Sequence, residues 1–214
     1  MDFGIFAREI VVSTTKLIKT SGRPRSFNID MAIEKAQLLF HEYGYDAVSV
    51  ANLTKELGIN PPSFYAAFGS KAELYQRVLK RYTLFDGIPL KTLLDEHKSL
   101  DDCLSQILKI AAHYYARNPE KCGCLVIEGT RCKDSVARTI ANELQQIAID
   151  QIHHFIVQQH ADLADQLTDF ICVVMNGLSA KARAGYSEER LLNTAQIASF
   201  SIQKILENPN SSNI

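Results

Sequence analysis

The residues with the clearest reactive chemistry lie in the run Lys121-Cys122-Gly123-Cys124. A thiol beside a lysine, near the start of a helical segment, could have a lowered pKa and react with oxidants or electrophiles. Against this, the spacing Cys-Gly-Cys is not the Cys-x-x-Cys of metal and redox motifs. Buried structural cysteines are also the more common kind. The run leaves a thiol-sensing role and a packing role open.

Catalysis and metal binding are less well supported by the sequence. An enzyme would use Cys122 or Cys124 as nucleophile and His113 as base, but no catalytic motif accompanies these residues. The adjacent residues His153 and His154 point to different sides of a helix, so they cannot converge on a metal as an i, i+4 pair does. We therefore predict no enzyme, no metal site and no cofactor.

The segment Ser49–Lys71, SVANLTKELGINPPSFYAAFGSK, predicts two short helices joined by a glycine turn. Gly58 ends the first helix, Asn60 can cap the second, and Pro61 suits a first helical turn because its missing N–H costs nothing there. An apolar stripe at spacings of three and four residues is formed by Val50, Leu53 and Leu57. This is the pattern of a helix-turn-helix, in which the second helix enters the major groove of DNA. We expect the stripe, together with Phe64 and Phe68, to form the core of this unit.

The segment from about Ile29 to Tyr82 resembles the DNA-binding domain of the TetR/AcrR family of transcriptional regulators. The resemblance is carried by LLFHEYGYDAVSV, LTKELGI, SFYAAF and FGSKAELY, in this order, and covers roughly a quarter of the chain. Where the family commonly has Ser-Lys-Gly-Thr, this chain has Asn60-Pro61-Pro62-Ser63. The resemblance thus implies the family's fold with altered base contacts.

The resemblance implies a set of DNA contacts on the second helix and at neighbouring helix starts. These positions are Ser49, Asn60, Pro61, Pro62, Ser63, Tyr65, Ala67 and Lys71. Hydroxyl and ammonium donors suit phosphate oxygens, which fix the register of a protein on DNA without reading its sequence. The prolines can offer only apolar contact, for example to a thymine methyl group. Base readout by this helix is therefore expected to be sparse, with DNA shape, contacts of the basic arm before the first helix, and dimer spacing supplying selectivity.

Several of these residues have structural alternatives. For Ser49 and Asn60 the alternative is a role as helix caps without DNA contact. For Tyr65 it is a place in the core, and for Lys71 it is a solvated charge on the surface. Arg23 and Arg25 lie in a basic linker before the first helix, where they could follow the phosphate backbone or enter the minor groove. Such a pair is also often only a solvated linker.

Beyond the helix-turn-helix the pattern is helical almost throughout, so we predict an all-α fold. It comprises an N-terminal three-helix helix-turn-helix DNA-binding domain and a larger C-terminal helical domain for ligand binding and dimerisation. The expected divisions are residues 1–25 (extension and basic arm), 26–85 (DNA-binding domain), 86–207 (larger domain) and 208–214 (polar tail). We expect the later helices to span about 101–117, 134–160, 162–184 and 188–206, with a short apolar segment at 124–132.

The larger domain is expected to form a homodimer and to hold a ligand. Its last two helices carry more apolar positions than one copy could readily cover, and in the resembled family they build a four-helix dimer bundle. That family also encloses a pocket whose ligand alters the separation of the two DNA-binding heads. Candidate pocket residues are His113, Tyr114, Tyr115, Cys122, Cys124, Leu125, Ile127, Cys172 and Met175. The alternative for each is ordinary core packing.

Composition agrees with a cytoplasmic protein that acts on DNA. The chain has a net charge of −1, but residues 1–85 contain 11 Lys/Arg against 8 Asp/Glu, while the remainder is acidic. No apolar run approaches the length of a membrane span, and five cysteines at irregular spacing fit a reducing compartment.

The leading hypothesis is a TetR-type repressor released from a palindromic operator by a small molecule. The alternatives are a regulator that senses oxidants or electrophiles through a thiol, and a structural DNA-binding protein without a ligand response.

Overall fold

Polar side chains set where the N-terminal helices begin. The computed structural model describes residues 27–208. Its first four helices are α1 (Ile29–Tyr43), α2 (Val50–Leu57), α3 (Pro61–Phe68) and α4 (Lys71–Phe85). The residue before each helix accepts a hydrogen bond from a backbone N–H of the first turn, and these caps are Asn28, Ser49, Asn60 and Ser70. The caps satisfy donors that the helices leave without partners, so these starts are encoded locally.

The turn between α2 and α3 depends on Gly58. Its backbone is left-handed, with φ 67° and ψ 32°, and its N–H donates to the carbonyl groups of Thr54 and Lys55. Glycine adopts this conformation without steric cost, which closes α2 and redirects the chain into α3. The predicted helix-turn-helix is present.

Six further α-helices follow: α5 (Leu90–Leu93), α6 (Leu100–Ala116), α7 (Leu125–Gly129), α8 (Ser135–His160), α9 (Ala164–Arg183) and α10 (Glu188–Glu207). Short 3₁₀ turns occupy Pro119–Lys121 and Ala161–Leu163. Residues 27–208 contain no strand. The fold is all-α, with an N-terminal helix-turn-helix domain and a larger helical domain, as the sequence predicted.

Two helix starts differ from the sequence expectation. α6 begins at Leu100, one residue before the predicted span 101–117, because Ser99 is its cap. The 3₁₀ turn at Ala161–Leu163 delays the start of α9 to Ala164. The four-residue helix α5 was not predicted, because one turn is too short to show periodicity.

Two apolar cores organise the molecule. The first joins helices α1–α4 and contains the fully buried side chains of Leu53, Phe64 and Phe68, with Val50 and Leu57 partly buried at its edge. It also includes residues of α7 and of the first turns of α8, namely Leu125, Val126, Ala137 and Ala141. The second core lies mainly among α6, α8, α9 and α10. Because the first core is shared, the helix-turn-helix domain is packed directly on the larger domain.

Some sequence predictions fall outside the described residues. Arg23 and Arg25, with the rest of the predicted extension and arm, precede them, and residues 209–214 of the predicted tail follow them. Within the described part of the chain, none of the helices combines the length and the apolar character that a membrane crossing requires.

Candidate nucleic-acid interface and ligand cavity

Helix α3 has two chemically different faces. Its two phenylalanines, Phe64 and Phe68, are fully buried, while Tyr65 between them is 53% exposed. The predicted contact residues Ser49, Asn60, Pro61, Pro62 and Ser63 are also exposed, and Ala67 is partly buried. Tyr65 is therefore not a core residue. The exposed residues lie at the cap of α2 and on the outward face of α3 with its cap, where they are accessible to a partner.

Ser49 and Asn60 both act as helix caps. The Ser49 hydroxyl accepts from the N–H of Asn52 at 3.1 Å, and the Asn52 side chain accepts from the N–H of Ser49 at 2.9 Å. The carbonyl oxygen of the Asn60 side chain accepts from the N–H of Ser63 at 2.9 Å. This cap leaves the Asn60 amide NH₂ able to donate, so capping and DNA contact are compatible at this position.

Lys71 has partners inside the protein. Its ammonium group donates to the carbonyl oxygens of Tyr45 and Val48, both at 3.0 Å, and lies 3.9 Å from the centre of the Tyr45 ring. Burial lowers its pKa. Lys71 is thus not a freely solvated charge: it ties the loop between α1 and α2 to α4. One of its three N–H donors remains for a phosphate, and that contact stays a prediction.

A cavity of about 430 Å³ lies in the larger domain and is bordered by the last turn of α4. Its lining residues come from α4 through α9, including Thr83, Leu90, Gln145 and Asn176. Among the predicted ligand contacts, five line it: Tyr115, Cys124, Ile127, Cys172 and Met175. A cavity of this size falls within the range of small-molecule sites.

The other four predicted ligand contacts do not line this cavity. His113 lies on the exposed side of α6 with its Nδ1 2.7 Å from Glu188 Oε1. The Tyr114 ring lies against the guanidinium of Arg117, 3.9 Å away. Since consecutive helical residues point about 100° apart, only Tyr115 of this run faces inward.

The remaining two departures also have local causes. The Cys122 thiol donates to the backbone carbonyls of Asn118 and Pro119. Leu125 is buried in the first core. Gln145 and Asn176 also line the cavity but were not predicted, because isolated amides on amphipathic helices form no motif. Only their polar character among apolar neighbours could have indicated them.

The thiols in the cavity are not activated. Burial is the main cause that raises the pKa of Cys124 and of Cys172. The lowered pKa expected for a thiol at the start of this helical segment is therefore wrong for Cys124. In addition, residues 27–208 contain no group of three or more His, Cys, Asp or Glu side chains arranged to hold a metal ion.

A junction between the two domains lies beside the cavity, at the loop 122–124. The Arg183 guanidinium, at the end of α9, donates to the carbonyl oxygens of His41 at 3.0 Å and Cys122 at 3.3 Å. Its Nε lies 3.6 Å from Glu128 Oε2. Arg183 therefore connects the end of α1 to the loop and to α7.

Gly123 allows this close approach. Its φ is +79°, and a Cβ there would lie 2.8 Å from Cγ of Arg183 and 3.0 Å from the Ser179 hydroxyl. The next residue, Cys124, donates its backbone N–H to that hydroxyl at 2.9 Å. A larger residue at 123 would push the loop away from α9.

His41, at the end of α1, is the buried titratable group of the junction. Its Nε2 donates to the Gly123 carbonyl at 3.4 Å, and its Nδ1 has no hydrogen-bond partner. Burial lowers the pKa of His41 to about 4, and the nearby charges of Arg183 and Lys121 contribute to the lowering. The imidazole is neutral at physiological pH.

The fold and the outward face of α3 define a helix-turn-helix DNA-binding regulator with a separate ligand-sized cavity. Residues 32–78 match the family described as "Bacterial regulatory proteins, tetR family". The chain belongs to the TetR family of transcriptional regulators, a family of regulators and not of enzymes.

Two curated relatives come from Escherichia coli (strain K12). The HTH-type transcriptional repressor BdcR is 47% identical over 194 residues, which cover 91% of this chain and 98% of BdcR. The HTH-type transcriptional repressor ComR is 31% identical over 197 residues, covering 86% of this chain and 92% of ComR.

A solved structure with the same fold is a cysteine mutant of the TetR family regulator CifR complexed with 26 bp double-strand operator DNA. It is 28% identical, with a TM-score of 0.75, and the match covers 83% of this chain and 98% of CifR.

Proposed function

We propose that this protein is a homodimeric transcriptional repressor that binds a palindromic operator through α3 and its flanking caps, and that a small molecule in the 430 Å³ cavity releases it. The observation that carries the proposal is the outward surface of α3, which presents hydroxyl and amide donors beside a helix N-terminus. Such groups suit phosphate oxygens. The repressors BdcR and ComR and the DNA-bound CifR structure support it.

Dimerisation is supported by an exposed apolar stripe on the last two helices. Val173 on α9 and Ile197 on α10 are each 69% exposed, and Phe200, one turn after Ile197, is 58% exposed. A second copy related by a two-fold axis would bury the same residues on both sides. Two recognition helices would then lie about 34–36 Å apart, or a multiple of that, matching the repeat of DNA.

The ligand response is supported by the position of the cavity next to the junction. Tyr115 and Cys124 line the cavity, and the Tyr115 carbonyl accepts the N–H of Gly123 at 2.8 Å. Gly123 in turn contacts His41 of α1, and Arg183 clamps both segments. A ligand that displaces the loop 122–124 would change the orientation of the helix-turn-helix domain and thereby the spacing of the two heads.

The two alternatives are less well supported. The raised pKa of Cys124 and Cys172 disfavours thiolate chemistry in the cavity at neutral pH. A structural DNA-binding protein without a ligand response would have no use for a cavity beside the domain junction.

The DNA-binding test compares two exposed tyrosines. Tyr65→Phe removes the α3 hydroxyl, and Tyr43→Phe removes the hydroxyl of a tyrosine that is 57% exposed on α1. With an operator obtained by selection from genomic DNA, we expect Tyr65→Phe to weaken binding roughly three- to tenfold. A neutral hydroxyl displaces no counterion, so the slope of affinity against salt should not change.

We expect Tyr43→Phe to bind like the unmodified protein, and both variants to keep their melting temperature. The proposal fails if the unmodified protein selects no DNA sequence at moderate salt. If the two substitutions change operator affinity equally, Tyr65 does not contact the DNA.

A further inference from the structure

The walls of the cavity carry no charge of either sign except at one exposed position. Its lining contains no Asp, Glu or Arg, and its single lysine, Lys91, is an exposed residue of α5. Most of the wall is apolar, with exposed Leu84 and Ile147 also among the lining residues. An apolar molecule can enter and be buried there.

The polar residues of the wall are Thr83, Thr92, Gln151 and a hydrogen-bonded pair, Gln145 and Asn176, that joins two helices. The side chain of Gln145 on α8 donates from Nε2 to Oδ1 of Asn176 on α9 at 3.4 Å, and both residues are partly buried. This bond leaves the Gln145 oxygen as an acceptor and the Asn176 nitrogen as a donor. If both amides are rotated by 180°, the pair again offers one acceptor and one donor. A ligand group that both donates and accepts would satisfy the pair.

A charged ligand would lack a partner inside the cavity. An ammonium group would find no carboxylate, and a carboxylate could accept only the neutral N–H of Asn176, with no buried cation to balance its charge. The thiols of Cys124 and Cys172 are neutral because burial raises their pKa, so they supply no charge either. Moving an unpaired charge out of water into such surroundings is strongly unfavourable.

We propose that the effector is an uncharged, mainly apolar molecule with one polar group that both donates and accepts hydrogen bonds, such as an alcohol, a phenol or a primary amide. The Gln145–Asn176 pair hydrogen-bonds to that group, and the apolar wall contacts the apolar part of the molecule. This inference rests on the proposed ligand response and specifies its ligand class.

A matched ligand series tests the class. 1-Decanol, decanamide, decanoate and decylammonium share one flexible chain and differ in the charge and hydrogen bonding of the head group. We expect the full-length protein at neutral pH to bind the alcohol and the amide at least about tenfold more tightly than either ion, measured by calorimetry. Equal or tighter binding of an ion, or no binding of the two neutral members, overturns the proposal.

A matched pair of substitutions tests the recognition site. Gln145→Leu removes half of the polar pair, whereas Gln146→Leu removes an exposed neighbour that bonds to Asp150 at 2.8 Å. We expect Gln145→Leu to weaken decanamide binding on the order of three- to tenfold and Gln146→Leu to leave it unchanged. Equal loss in both variants contradicts the site. If Gln145→Leu fails to fold, decanamide binding to Asn176→Leu and the ligand series on the unmodified protein test the same site.

DNA release is measured separately, so the two proposals can fail independently. Decanamide that binds without releasing operator DNA would refute the ligand response while leaving the cavity's selectivity in place. Release of DNA by decanoate or decylammonium alone would refute the uncharged class while supporting a ligand response.

Discussion

Asn60 caps α3 and is predicted to contact DNA, and a single substitution can separate the two roles. Its side-chain oxygen caps α3 through the Ser63 N–H, and aspartate caps equally well. Asn60→Asp should therefore keep the melting temperature but place a negative charge beside the DNA phosphates. We expect operator affinity to fall by about tenfold or more.

Asn118→Asp is the matched control for this substitution, since Asn118 caps the 3₁₀ turn of the larger domain through the Glu120 N–H at 2.9 Å. Gel-shift titration and thermal melting of both variants provide the measurement. Equal DNA affinity in the two aspartate variants would place Asn60 outside the interface.

We expect His41 to make the stability of the protein depend on pH. Its pKa is lowered to about 4 in the folded protein by burial, from an ordinary value near 6.5, while Arg183 and Lys121 add positive charge and Tyr82 packs edge-on at 5.7 Å. The unfolded chain therefore binds a proton first. Stability is complete above about pH 6.5 and falls as the pH decreases toward 4, by about 2 kcal/mol at pH 5.

Urea unfolding of His41→Gln tests this dependence. We expect the variant to lose most of the decrease in unfolding free energy between about pH 7 and pH 5, a window above most carboxylate pKa values. His154→Gln, at an exposed position of α8, should retain it. An unchanged pH dependence in His41→Gln would show that another group is responsible.

At the scale of elements, the end of α9 holds the end of α1 through one side chain. Arg183 donates to the His41 and Cys122 carbonyls and pairs with Glu128, whose Oε1 has no hydrogen-bond partner. Glutamine cannot span these groups. We expect Arg183→Gln to lower the unfolding free energy by about 1–3 kcal/mol and to speed amide exchange in the last turn of α1.

Lys181→Gln removes a charge two residues earlier, at an exposed position of α9. It should change neither quantity. Exchange in α1 that is the same in both variants would mean that the junction is held by the apolar core instead of by Arg183.

Element boundaries were largely predictable, and inter-element contacts were not. The starts of α2, α3 and α8 follow from Ser49, Asn60 and Asp134, because a cap acts within three residues of itself. The Arg183–His41 bond joins residues 142 positions apart. No periodicity within α1 or α9 indicates that contact, since it depends on how the helices pack.

At the scale of the whole molecule, the proposed dimer would set the distance between the two DNA-binding domains. Phe200→Glu places a carboxylate in the exposed apolar stripe of α10, where each copy would bury it against the other. We expect a monomer in analytical ultracentrifugation and a loss of operator affinity on the order of a hundredfold, because two linked heads bind far more tightly than one.

Val136→Glu changes an equally exposed apolar residue, 58% exposed on α8 and away from the stripe. It should remain a dimer and bind DNA normally. A Phe200→Glu variant that is still dimeric would place the interface elsewhere.

The sequence alone determined the class of this protein. Helix caps, the turn glycine Gly58 and the apolar spacing of α2 and α3 act over a few residues, so the helix-turn-helix and the all-α architecture follow from local chemistry. Only the tertiary structure decided which side chains share a surface. It placed Tyr115 but not His113 in the cavity, paired Gln145 with Asn176, and engaged Lys71 with backbone carbonyls. These outcomes depend on the rotation and packing of whole helices, which no single segment encodes.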